Sequence, residues 1–127
     1  MKKAFSLMLV FVLCFGLCAC GRGEVKRNAS TAPYLDFNAY ISDYRQNAAK
    51  AETEYEGKIF RYKGTVYEIG TESCLVSHYS GATTIALEVC LAKEDLIKLT
   101  LGETYTFAGK FKHSFFTPYL TDAVIVE

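Results

Sequence analysis

Hydrophobic and polar residues follow three different rhythms along this chain, and each rhythm predicts a different kind of segment. From Ala4 to Gly16 the run is almost unbroken apolar. After Asp36, Tyr40, Ile41, Tyr44 and Ala48 recur at spacings of three and four, separated by Ser42, Asp43, Arg45, Gln46 and Asn47. That is the period of a helix with one apolar face. Asp36 offers a capping oxygen and Gly57 a stop, so a single helix is predicted from 36 to about 54.

From Lys58 onward the period is two. Phe60, Tyr62, Gly64 and Val66 fall on one face of a strand over 58–69, with Arg61, Lys63, Thr65 and Tyr67 on the other. Gly64 in mid-strand predicts a bend of the kind tight barrels need. Strands follow over 74–79 and 84–91, joined by Ser80-Gly81-Ala82-Thr83. Residues 92–99 fit a short helix. Residues 103–113 form a strand with Tyr105, Phe107, Gly109 and Phe111 on one side, and 119–126 form the last. The order predicts a mainly β fold, a five-stranded OB-fold-like barrel with an N-terminal helix and a short helix between strands 3 and 4.

The apolar run near the start is no part of that barrel. It follows Met1-Lys2-Lys3 and ends at Leu17-Cys18-Ala19-Cys20. A basic start, a short apolar core and small residues before a cut define a secretory signal peptide. The segment resembles the lipoprotein signal class, whose lipobox reads Leu, a small residue, Ala or Gly, then Cys. That resemblance implies cleavage before Cys20 and a diacylglycerol thioether on its sulfur, with acylation such as palmitate on the freed amine. The predicted partition is therefore signal peptide 1–19, tether 20–33 and barrel domain 34–127. Residues 21–33, polar with two glycines and a proline, read as a flexible tether. The expected location is extracytoplasmic, on the cell membrane, or on an outer membrane if the cell has one.

Removing the signal changes the charge. The whole chain is neutral, but from Cys20 it has 12 Lys and Arg against 14 Asp and Glu, and from Tyr34 onward 9 against 13. Nucleic-acid-binding domains are normally basic, so this balance counts against nucleic acid as a partner. Arg22, Lys26 and Arg27 lie close to the expected lipid, where each favours anionic headgroups by about 1 kcal/mol.

Beyond Tyr40 the residues resemble the tRNA-anticodon-like (tRNA_anti-like) group of OB-fold domains. The resemblance rests on Asn47, Ala48 and Ala51, on Tyr55-Glu56-Gly57-Lys58, on Gly64-Thr65-Val66 with Ile69, and on Leu101-Gly102-Glu103 leading to Phe107-Ala108-Gly109. It implies the barrel and no catalytic residue, because the matching positions are structural glycines and core side chains.

Candidate chemistry is sparse. A hairpin centred on residue 82 sets Cys74 directly opposite Cys90, close enough for a disulfide outside the cytoplasm. Two small buried thiols fit the sequence as well, and a slip of one residue separates them. Arg61, Lys63, Lys110 and Lys112 lie on the non-core alternation of strands 1 and 4, as an anion-binding stripe or a plain solvated face. Tyr67, Tyr79, Phe115, Phe116 and Tyr119 are candidate stacking platforms for an extended ligand, or core packing. His78 and His113 read as surface residues of strands. No metal ligand set, cofactor motif or catalytic signature stands out, so no enzyme is expected. The sequence therefore predicts a lipid-anchored envelope module with an unidentified extended ligand. The alternatives are an accessory lipoprotein that docks an envelope protein, and an anionic glycan or nucleic-acid binder by fold analogy.

Overall fold

The computed structural model describes residues 21–80, 83–114 and 117–126. The expected signal peptide 1–19, Cys20, Phe115 and Phe116 lie outside them. A helix, α1, covers residues 21–28. It is followed by α2 (Phe37–Gln46), α3 (Ala48–Tyr55), β1 (Ile59–Ile69), β2 (Ser73–Ser80), β3 (Thr83–Leu91), α4 (Lys93–Lys98), β4 (Thr104–Lys112) and β5 (Tyr119–Val126). The strands close into one barrel in the order β1-β2-β3-β5-β4. All neighbours are antiparallel except β3 and β5, which run parallel. The predicted OB-fold arrangement is present, with α4 between β3 and β4.

In β1 and β4 the inward positions are those that the alternation selects. Tyr62 and Val66 of β1, Val76 of β2, Leu87 and Val89 of β3, Phe107 and Phe111 of β4 and Leu120 of β5 form one buried cluster. Gly64 lies so close to the neighbouring β2 that a Cβ there would run into the Val76 side chain and lie 3.0 Å from the Ser77 carbonyl. The absent side chain lets β1 curl round against β2.

The predicted single helix is two. Asn47 stands between them with extended backbone (φ −158°, ψ 94°). Its N–H closes α2 on the Asp43 carbonyl at 2.9 Å, and its Oδ1 accepts the Lys50 N–H at 3.1 Å to start α3. Asparagine competes for backbone bonds with its own side chain, which makes it a good cap and a poor helix interior. The break lets Tyr40 and Tyr44 of α2 and Tyr55 of α3 converge, with ring centroids 4.9–6.1 Å apart.

The predicted flexible tether is also corrected over its described part. Val25 is fully buried, and with Ala29 it packs on Ala108 and Val124 on the outside of β4 and β5. Burying a valine contributes about 2 kcal/mol, which a polar linker would forgo. Glu24 pairs with Lys110 at 3.1 Å. The chain then runs beside β1, where the Arg61 N–H donates to the Pro33 carbonyl and the Leu35 N–H to the Arg61 carbonyl, each at 2.8 Å. Ala108 was outward-facing by alternation and should have been wet. It is buried because a helix covers it.

Candidate functional site

The hairpin of β2 and β3 decides two of the candidate sites. Its register sets Cys74 opposite Val89, Ser73 opposite Cys90 and Ser80 opposite Thr83. This is one residue away from the pairing that places Cys74 against Cys90. Direct partners share a face of the sheet, and Cys74, Val76, Leu87 and Val89 are all buried. Only the shifted register keeps those four together inside. Cys74 therefore points into the core and Cys90 out of it, and both are free thiols. Burial pushes the Cys74 thiol up to about 11, with Cys90 adding to it. Burial also raises Cys90, helped by the carboxylates of Glu88, Asp122 and Glu72.

On the outer face, a row of directly paired residues crosses four strands. Leu75 of β2 faces Glu88 of β3, Glu88 faces Tyr119 of β5, and Tyr119 faces Lys112 of β4. Ser73 donates to Glu88 at 2.8 Å. One step along, Ser77 pairs with Ala86 and Thr65, and the Thr65 and Thr104 hydroxyls meet at 2.9 Å. This surface is mixed, neutral to acidic, with the half-buried Tyr119 as its aromatic member. Tyr67, at a bulge in β1, is 46% exposed. Tyr79 lies on β2 across from Thr84.

The four cations expected as a stripe do not form one free surface. Arg61 donates through Nε to the Ala32 carbonyl at 2.7 Å, and its guanidinium lies 4.3 Å from the centre of the Tyr34 ring. It is a clamp on the incoming chain. Lys110 is held by Glu24 and Lys112 by Glu56, the latter at 3.7 Å. Lys63 is exposed. Alternation put the four on one side correctly, but gave no sign that α1, the residues before α2 and Glu56 would supply partners for three of them.

One cluster escaped the sequence altogether. His113, just beyond β4, stacks on Tyr44 with centroids 4.0 Å apart and planes 13° from parallel. Its Nδ1 lies 2.5 Å from the Tyr40 hydroxyl, and its backbone N–H donates to the Glu56 carboxylate. Tyr55 donates to Asp43 at 2.7 Å. Burial and nearby carboxylates raise the phenols of Tyr40 and Tyr44, and burial followed by the Asp43 bond lifts Tyr55 to about 12. Tyr40 and Tyr55 use their hydroxyls in hydrogen bonds and Tyr44 contributes its stacked ring, so the cluster holds His113, at the end of β4, against α2. The helical spacing of Tyr40 and Tyr44 was legible; that His113 is their partner was not, because 69 or more residues of chain separate them.

Among the described residues no group of three or more His, Cys, Asp or Glu is placed to hold a metal ion. No described helix is long and apolar enough to cross a membrane. A cleft of about 530 Å³ separates the end of α1 from α4, lined by Lys26, Ser30, Asp95, Lys98 and Tyr105 beside the end of β5.

No family model matches the chain, and no curated protein matches it either. Among solved structures, part of Entamoeba histolytica asparaginyl-tRNA synthetase overlaps at 13% identity and a TM-score of 0.36, over 56% of this chain and 21% of that one. That overlap is too slight to carry an argument. A crystal structure from Klebsiella pneumoniae subsp. pneumoniae, of a lipoprotein provisionally named nucleic acid-binding, matches at a TM-score of 0.61 and 17% identity, covering 80% of this chain and 97% of that one. At that identity the likeness is one of fold, and in fold this chain is similar to that lipoprotein.

Proposed function

We propose that the protein is a lipid-anchored binding module of the cell envelope, fixed through Cys20. Its ligand face is the outer surface of β2 and β3, continued onto Tyr119 of β5. The lipobox supports the anchor, and the OB-fold barrel supports a binding role on that face. The observation that carries the choice of ligand is the row Leu75–Glu88–Tyr119. It combines apolar area, an aromatic ring and a carboxylate, while Arg61, Lys110 and Lys112 are engaged by the fold's own groups. Such a face suits an extended, non-acidic segment of an envelope protein.

A photo-crosslinking residue at Leu75 in intact cells tests this reading. One crosslinked partner is expected, lost in Tyr119→Ala and in Glu88→Lys. Crosslinks insensitive to both substitutions would refute the face.

Nucleic-acid binding is the second reading, favoured by the tRNA-anticodon-like resemblance and by the name of the Klebsiella lipoprotein. It requires affinity for single-stranded oligonucleotides that falls steeply with salt. The net charge of the domain and the engagement of Arg61, Lys110 and Lys112 oppose it.

A further inference from the structure

The segment between the expected lipid and the barrel is packed on the barrel, and this constrains where the membrane lies. Gly21 is buried, and a Cβ on it would sit 2.6 Å from the Asp122 carboxylate and 3.6 Å from Lys110 Nζ. Val25 and Ala29 continue the contact along β4 and β5. Asn28 ties back to the Glu24 carbonyl at 2.8 Å, and Arg61 holds Ala32 and Tyr34 against β1. No stretch from 21 to 35 is left to act as a spacer.

We infer that the lipid bilayer is itself a surface partner of this domain, lying against the end of the barrel where β4 finishes and β5 begins. The inference rests on lipidation of Cys20, as in the proposed function. One trans peptide puts consecutive Cα atoms about 3.8 Å apart, so Cys20 is within one residue of the buried Gly21. The direction of α1 fixes which end is near. Its start lies beside Lys110 and Asp122, whereas Lys26, Ala29 and Ser30 lie beside Tyr105 and Val126, towards the other end of β4 and β5. Lys112 and Tyr119 are therefore on the membrane side. Lys98 and the exposed Ile97 and Leu101 are on the far side, since β4 rises by about 3.3 Å per residue between them. In the closed order β1-β2-β3-β5-β4, β2 lies across the barrel from the β4–β5 surface that α1 covers. A ligand would reach β2 along the membrane surface.

The test compares full-length lipidated protein on phosphatidylcholine–phosphatidylglycerol vesicles with a soluble Cys20→Ser chain expressed without its signal. Amine acetylation read by mass spectrometry should lose labelling at Lys112 on vesicles and leave Lys98 unchanged. Equal labelling of Lys112 in both samples would overturn the proposed orientation. Hydrogen exchange of amides 25–29 should be slow in both samples and fast in Val25→Asp. Fast exchange in the unsubstituted chains would show a free tether and end the inference. The mass of the mature N-terminus, read on the vesicle sample, distinguishes the failures. An unlipidated Cys20 with slow exchange at 25–29 sinks the anchor and this inference with it, and leaves the docked helix standing. A lipidated Cys20 with unprotected Lys112 sinks this inference alone.

Discussion

The Tyr40 hydroxyl meets His113 Nδ1 at 2.5 Å, joining the first turn of α2 to the residue that follows β4. Tyr40 also packs edge-on against Phe111 with centroids 4.9 Å apart, so one side chain serves both the core and the polar clamp. Separating those roles gives the first prediction. Tyr40→Phe keeps the ring and loses the hydroxyl, and should cost about 1 kcal/mol. Tyr40→Ala removes the ring as well and should cost about 3–5 kcal/mol. Urea unfolding of both variants checks this; equal losses would mean that the hydroxyl carries the whole effect.

Gly64→Ala tests the closeness of β1 and β2. The added methyl meets Val76 and the Ser77 carbonyl, and overpacking of this kind costs about 1–3 kcal/mol. A melting temperature equal to that of the parent would show that the strands separate more easily than the packing implies.

The thiols should behave as two unlike, separate groups. Iodoacetamide in mildly alkaline buffer should modify the half-exposed Cys90 well before the buried Cys74, whose thiol is lifted to about 11. The thiolate is the reactive form, so both should react slowly. Under mild oxidation the two should persist as thiols; rapid loss of both without dimer formation would contradict the observed register.

Stability should fall at alkaline pH. An unfolded tyrosine ionises near 10, whereas burial holds Tyr62 to about 12 and burial with the Asp43 bond does the same for Tyr55. Between those values the folded chain binds more protons than the unfolded one, so unfolding becomes easier as pH rises. The stabilisation is fully present below 10 and is lost as pH climbs through 12. Urea midpoints should be flat around neutrality and decline above pH 10. Tyr62→Phe should flatten part of that decline, and an unchanged slope would remove Tyr62 from the account.

The barrel itself was written in the alternation. Residues of period two select their own inner face, and Tyr62, Val66, Phe107 and Phe111 are buried where the pattern put them, because apolar burial is the dominant driving force and is local in sequence. Caps were partly legible: Asp36 accepts the Ala39 N–H as its residue type suggests. The break at Asn47 is not legible in the sequence because the apolar face continues across it, and only packing of α2 against α3 distinguishes a cap from an exposed helix position.

The sequence by itself determined the strands, the inward faces of β1 and β4, the OB-fold order and the lipobox that points to an anchor. Tertiary structure alone decided the rest. A one-residue difference in register, invisible in either strand alone, separated Cys74 from Cys90 by putting them on opposite faces. Residues distant in the chain engaged Arg61, Lys110 and Lys112, turning a candidate anion stripe into internal clamps. Within the polar stretch at 21–33, residues 21–28 became a docked helix because β4 and β5 offered Val25 and Ala29 an apolar seat. Each outcome depends on contacts between segments far apart in sequence, and periodicity carries no information about those.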